Sequence, residues 1–349
     1  MRRQPPETQT LYAELSERLR ASEATRSFSN LSGSFTKKHI KGADYWYFKT
    51  SEGANGQREY FVGPDSSATT GVMQAYAAAR PEAKASSSQN DRLCSMLRHG
   101  GALLTDTASA RVVSGLASAG VFRAGAVLVG THAFIALGNV LGVRWESIMR
   151  TQDIDLAASA VLHIAIPDSD VDLPKALDAL QMGFLPVPGL NAAEPATSFK
   201  VRGHSLRVDL LTPAHGPRTD KPVLISRLNA AAQPLELLGY VLDATISTPL
   251  LNGGATLVNV PDPARFALHK LIVSGRRQAY EQVKAGKDRQ QAGELIAILH
   301  EERRGDLLLA VDELNKLPAV WRTRLRRELI KLSASTKDAS DLITDALDA

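Results

Sequence analysis

At 349 residues, 44% hydrophobic, 22% charged and with a formal net charge of +4, the chain has room for two or three domains around a sizeable core, which excludes a disordered or fibrous protein. Its one cysteine, Cys94, excludes an intramolecular disulfide and a cysteine-based zinc site and fits a reducing compartment. No apolar run approaches a membrane span and the polar start at Met1–Pro6 lacks the apolar stretch of a secretory signal, so a cytoplasmic chain without membrane contact is expected; its mild basicity permits a polyanionic partner without requiring one.

Taken in order, Thr8 to Ala24 has helical spacing, with Leu11, Leu15 and Leu19 on one stripe. Two aromatic runs, Tyr45–Thr50 and Arg58–Gly63, flank the turn-like Ser51–Gly56 and predict a β-hairpin. Its aromatics beside Lys37, Lys38, Lys41 and Arg58 can stack on single-stranded nucleic acid, or the hairpin can simply be a small sheet packed on the body. Arg80–Asn90 is polar, small and free of apolar periodicity, so it reads as a linker. Two helices, Asp91–Arg98 and Thr105–Ala119, follow.

Ala126–Val129 then reads as a buried strand that runs into Gly130-Thr131 and a helical run from His132 to Leu137. Glycine at such a junction lets the backbone approach a ligand, and the helix start attracts phosphate. The strand-like Arg150-Thr151-Gln152-Asp153-Ile154-Asp155-Leu156 sets two carboxylates on one strand face, because side chains at i and i+2 project together. Such repulsion is tolerated when a divalent cation lies between the acids, and oxygen-only ligands point to Mg²⁺ or Mn²⁺. Val161–Ile166 predicts a strand and Leu173–Gln181 a helix opened by Asp172 and Pro174. Thr197–Val201 should pair with Leu206–Leu211 across the Gly203-His204 turn, and this second strand carries a third acid, Asp209, two places after Arg207. The loop Thr212–Lys221 leaves the strand beside these acids, so His215, Arg218 and Lys221 can reach an acceptor or form an ordinary surface loop. Val223–Val260 alternates and should extend or cap the sheet. Beyond Pro261 the pattern is helical, and Trp321–Arg327 offers a cationic face.

The strand, the Gly-Thr turn, the helix, the Asp-x-Asp pair and the later Asp together resemble the DNA polymerase β-type nucleotidyltransferase superfamily, over about residues 120 to 215. Arg150–Leu156 is similar to the bacterial branch that contains AbiEii and MenT-type toxin nucleotidyltransferases. The resemblance implies a small mixed-sheet nucleotidyltransferase core, and with the patterns along the chain the expectation is an α/β (α+β) chain: an N-terminal helix and aromatic hairpin region (1–80), that core (91–260) and a C-terminal helical domain (261–349). It implies that Asp153, Asp155 and Asp209 are the catalytic, metal-binding acids. Gly130 and Thr131 match the triphosphate-binding turn, and Arg150 and Lys270 are candidate nucleotide contacts, although each also reads as an ordinary ion-pair or surface residue. The branch's Lys-Asp-x-x-Asp segment is similar to Lys287-Asp288-Arg289-Gln290-Gln291, but Gln291 replaces its second acid, and Asp288 alone reads as a surface or capping residue. The implied activity is transfer of a nucleoside monophosphate from an NTP to an acceptor hydroxyl, with Mg²⁺ or Mn²⁺. Acceptors compatible with this are tRNA or other RNA, a protein hydroxyl or a small molecule. The alternatives are a nucleic-acid- or partner-binding protein that uses this fold with little turnover, and a phosphohydrolase on the same three acids.

Overall fold

The computed structural model describes residues 1–24, 33–50, 58–146, 152–160, 171–189, 191, 194–214, 221–278 and 281–348. In chain order the elements are β1 (Arg2–Arg3), α1 (Pro6–Ala24), β2 (Gly33–Ile40), β3 (Ala43–Thr50), β4 (Arg58–Pro64), α2 (Ser67–His99) and α3 (Thr107–Ser118). Next come β5 (Val127–Val129), α4 (Gly130–Val140), β6 (Val143–Arg144), β7 (Asp153–Ala157), α5 (Leu173–Ala179), β8 (Phe184–Pro186), β9 (Ser198–Val201) and β10 (Arg207–Pro213). The chain continues through β11 (Val223–Ile225), β12 (Ala230–Leu235), α6 (Leu238–Leu242), β13 (Thr245–Leu251) and β14 (Ala255–Pro261), then the helices α7 (Pro263–Ser274), α8 (Gln282–Glu302), α9 (Arg304–Asn315), α10 (Ala319–Leu329) and α11 (Lys337–Asp348). This is the mixed α/β architecture expected.

The central sheet runs β11-β12-β10-β7-β5, with β9 also on β10 and β8 on β9. β9 and β12 share one edge of β10: β9 pairs antiparallel with Arg207–Asp209, and β12 pairs parallel with Leu211–Pro213. Leu128, Ile154, Leu156, Val208 and Leu210 are fully buried on one sheet face, in a single apolar cluster that extends from Leu103 to Leu347 and takes in α3, α4 and the C-terminal helices. β13 and β14 form a separate hairpin, tied to the start of β5 by Asn259 Nδ2, which donates to the Phe122 and Ala126 carbonyls at 2.8 and 3.0 Å. Only β11 and β12 of the Val223–Val260 stretch therefore extend the sheet.

Two sequence expectations change. Arg80–Asn90 is no linker but the middle of the 33-residue α2; the small residues read as flexible include alanines, the strongest helix formers, and Pro81 removes only one helix hydrogen bond. The aromatic hairpin is in fact a three-stranded sheet β2-β3-β4. Its first strand is masked in sequence by Lys37-Lys38-His39, and Lys41 and Gly42, both at positive φ, make the two-residue turn that joins it to β3. Phe48 is fully buried there against Phe35 and the Tyr76 ring of α2, with ring centroids 5.1 and 5.2 Å away. The predicted turn Ser51–Gly56 and strand Val161–Ile166 lie outside the described residues. Trp321 is flanked by Arg276 and Arg324 at 5.6 and 4.8 Å from its centroid, while Arg322 and Arg326 donate to the Asn315 and Leu347 carbonyls. Much of the cationic face of α10 is thus spent on packing and on the ends of α9 and α11. Among the described residues no helix is long and apolar enough to cross a membrane.

α4 carries a buried histidine directly behind its glycine start. His132 is 1% exposed; its Nδ1 lies 2.8 Å from Thr105 Oγ1, and its Nε2 has no partner among the described residues. Burial holds its pKa down at about 4. The unfolded chain, with His near 6.5, takes up a proton that the folded chain refuses, so stability falls as pH drops from about 6.5 to about 4 and levels off below. That is worth about 3 kcal/mol for this side chain. Urea midpoints of wild type and His132→Gln across this range should converge as pH falls, and a constant gap would contradict the assignment.

Candidate active site

The site begins with strand register. β7 and β10 run parallel with Asp155 opposite Asp209 and Asp153 opposite Arg207, and β5 flanks β7 with Val129 opposite Asp155. Because alternate residues of these strands fill the core, the three acids and Arg207 all project from the other face. The paired i, i+2 acids expected from sequence therefore share one face with the third acid at the same level.

Gly130 closes this arrangement. It opens α4 at φ +67°, a conformation favourable only to glycine, and a Cβ there would lie 2.1 Å from Asp155 Oδ2. The strand-to-helix turn is thus pressed against the carboxylate, with the first amides of α4 beside it. Gly130, Thr131, Asp153, Asp155 and Asp209 line one cavity of about 330 Å³, and Lys270 joins them from α7. Arg150 lies outside the described residues, as do His215 and Arg218. Leu235, Leu238, Val241, Phe266 and Val273 give the cavity an apolar wall.

Lys270 is only 6% exposed, so it is no solvated helix lysine. Its Nζ donates to Asp288 Oδ1 at 3.0 Å and lies 5.0 Å from the Phe266 ring centroid. Asp288 is the residue that sequence reasoning placed worst. It is 8% exposed, lines the cavity, and accepts from Arg277 at Oδ2, where Nε and Nη2 each approach to 2.8 Å. Burial opposes its charge, but Lys270 and Arg277 outweigh burial and hold its carboxyl below the ordinary range. Arg277, Lys284, Lys287 and His269 also line the cavity and were not singled out as site residues. The signal for the α8 residues was their spacing, since Lys284, Lys287 and Asp288 fall at i, i+3 and i+4 on one helix face.

The electrostatics divide the cavity. On the sheet side, burial, then Asp209, then Asp153 push the Asp155 carboxyl up to about 6. On the helix side, burial and then neighbouring Lys270 pull the Lys287 ammonium down. Acids are crowded on the sheet side, while on the helix side the cations Lys270, Arg277, Lys284 and Lys287 outnumber the one acid, Asp288, an arrangement suited to a polyanion that brings its own cation. Asp209 is held as it stands: Arg207 Nε donates to its Oδ1 at 2.6 Å, and the Ser198 hydroxyl donates to the same oxygen. Among the described residues no group of three or more His, Cys, Asp or Glu side chains is gathered tightly enough to hold a metal ion.

Comparison with known proteins gives one family. A family model described as Nucleotidyltransferase matches residues 107–315. No curated protein matches the chain. An antigenic nucleotidyltransferase-like protein from Paracoccidioides brasiliensis has a similar solved structure, at 15% identity and a TM-score of 0.33, covering 64% of this chain and 94% of that one. The family match runs from the first residue of α3 to the last of α9 and spans more than half of the chain, including every described residue of the cavity; the chain belongs to the nucleotidyltransferase family.

Proposed function

We propose that the chain moves a nucleoside monophosphate from an NTP to an acceptor hydroxyl, with Mg²⁺ or Mn²⁺, and releases pyrophosphate. The observation that carries this reading is the pairing of Asp155 with Asp209 beside the Gly130 turn, across one cavity from Lys270 and Lys287. In donor chemistry the residues fit a hard divalent ion, because all the donors are carboxylate oxygens, although as they stand the acids are not gathered tightly enough to close on one; burial and then Asp209 and Asp153 disfavour the charge of Asp155, and an ion among the acids would relieve that. Asp153 and Asp155 would hold the ion, with Asp209 completing the set. When bound, such an ion neutralises phosphate charge and lowers the pKa of a hydroxyl beside it.

The chain's own groups supply the rest. The Gly130 and Thr131 amides at the start of α4 bind phosphate oxygens. Lys270, steadied by Asp288, and Lys287 counter the charge that moves onto the departing pyrophosphate. The acceptor oxygen bonds to the α-phosphorus as the bond from that phosphorus to the pyrophosphate oxygen breaks. Asp209 takes the hydroxyl proton at Oδ2, the oxygen that Arg207 and Ser198 leave unengaged. The apolar wall formed by Leu238, Val241 and Phe266 excludes water, which favours transfer to an acceptor over hydrolysis. Catalysis is then mostly positioning and electrostatics.

The likeness of Arg150–Leu156 to AbiEii and MenT-type enzymes supports a place in that bacterial toxin branch and an RNA acceptor, tRNA included. The test is incubation of the purified chain with each α-³²P-labelled NTP, Mg²⁺ or Mn²⁺ and total cellular RNA, resolved on a denaturing gel beside Asp153→Asn. Label in RNA with wild type alone is the expected result. Label in the protein band would redirect the acceptor to a protein hydroxyl, and absence of both label and NTP binding would overturn the reading in favour of a non-catalytic binding protein.

A further inference from the structure

Two rows of side chains cross the acidic face of the sheet. In one, Asp155, Asp209 and Ser198 lie abreast on β7, β10 and β9; in the next, Asp153, Arg207 and Lys200 do. Asp209 thus has an acid on one side and a hydroxyl on the other, with Arg207 one step behind it along its own strand. Three contacts close this group into a triangle. Arg207 Nε donates to Asp209 Oδ1 at 2.6 Å, Arg207 Nη2 donates to Ser198 Oγ at 2.8 Å, and Ser198 Oγ donates to Asp209 Oδ1. Ser198 is buried, while the Arg207 side chain is 41% exposed. Asp209 lines the cavity, but neither Arg207 nor Ser198 does.

We infer that Arg207, braced by Ser198, is a positioning residue for transfer: from outside the cavity it pins Oδ1 of Asp209, so that Oδ2 is presented in a fixed orientation beside Asp155. This rests on the proposed role of Asp209. Two features separate it from an incidental surface ion pair, which is worth little. Both donors converge on one oxygen, which fixes the rotation of the carboxylate and not merely its place. The contact also uses the planar edge of the guanidinium, with Nε on the acid and Nη2 on the serine, a geometry that a lysine ammonium does not reproduce. Arg207 further sets a positive charge between Asp153 and Asp209, which reduces the repulsion of three acids gathered on one face. Groups that orient a ligand from behind typically matter 10–100-fold to affinity or rate.

The experiment uses the full chain without nucleotide first. Mn²⁺ binding by isothermal titration, thermal melting and steady-state pyrophosphate release are compared for wild type, Arg207→Met, Arg207→Lys, Ser198→Ala and Asp209→Asn. Arg207→Met is expected to weaken Mn²⁺ binding by about 10–100-fold and to lower kcat more than it raises the KM for NTP. Arg207→Lys should recover only a small part of that loss, and Ser198→Ala should move binding and kcat in the same direction. Should Arg207→Met fail to fold, Ser198→Ala carries the same readings. Unchanged or tighter Mn²⁺ binding with wild-type kcat in a folded Arg207→Met, while Asp209→Asn is inactive, would overturn the positioning role alone. Wild-type binding and transfer by Asp209→Asn would instead overturn the role of Asp209 on which it rests.

Discussion

Asp155→Asn is expected to stop transfer and, by the same change, to stabilise the chain. Burial and then the charges of Asp209 and Asp153 push this carboxyl from its ordinary 3.8 up to about 6. A folded-state pKa raised above the unfolded value makes the fold disfavour the ionised form, so the penalty is absent below the unfolded pKa and fully present above about pH 6. The displacement from 3.8 to about 6 corresponds to about 3 kcal/mol, and burying the amide of Asn returns part of it, leaving a gain of about 1–2 kcal/mol. Asn is isosteric and keeps the contact with Gly130, so the gain reports charge and not packing. Denaturant melts in EDTA at pH 8 and pH 4 test this directly. The variant should be more stable than wild type at pH 8 and fall below it by about 1 kcal/mol near pH 4, where the charge penalty is nearly gone and the amide cost remains, with pyrophosphate release down by about three orders of magnitude, the scale on which a preorganised charge contributes to catalysis. A variant less stable at pH 8, or one that still transfers, would refute the assignment. Such stabilisation on loss of function is what a site built from crowded like charges should give.

How far the sequence carried this site depends on whether its parts are local. The i, i+2 spacing of Asp153 and Asp155 is a period-two signal within five residues, and Gly130 is legible because a strand-to-helix turn tolerates few other residues. Asp209 could be placed on a strand, but its pairing with Asp155 depends on a parallel register with more than fifty residues between, and only the resemblance pointed to it. The Lys270–Asp288–Arg277 group was not legible as a unit, because it depends on how α7 packs on α8. The N-terminal errors have a different cause. In α2, alanine and serine suit helix and loop alike, and only the neighbouring docking of Leu93 and Leu97 on α1 and of Tyr76 on the small sheet makes one continuous helix the better solution. β2 hid its alternation behind charged residues that are tolerated because the strand lies on the edge of an exposed sheet.

The second large effect falls on the helix side of the cavity. Asp288→Ala leaves the buried Lys270 ammonium without its carboxylate and removes the acceptor of two Arg277 contacts. Breaking a buried pair from one side costs about 3–5 kcal/mol, because the remaining charge is neither solvated nor paired. Lys270→Met should be milder, since Asp288 keeps Arg277, yet it should raise the KM for NTP sharply by removing a cation from the phosphate side of the cavity. The double variant Lys270→Met/Asp288→Ala separates charge from packing: with no buried ammonium left to satisfy, it should recover most of the stability lost in Asp288→Ala while remaining as poor in transfer as Lys270→Met. Nucleotide supplies a further reading. A triphosphate can stand in as the missing counter-charge of Lys270, so saturating NTP should raise the melting temperature of Asp288→Ala more than that of wild type, through binding to the folded state alone. If Asp288→Ala melts with wild type, the pair is not the buried brace described here; if it is destabilised but NTP shifts it no further than wild type, then Lys270 does not face the phosphates, and the cation that meets them must be sought at Lys287 or Lys284 on α8.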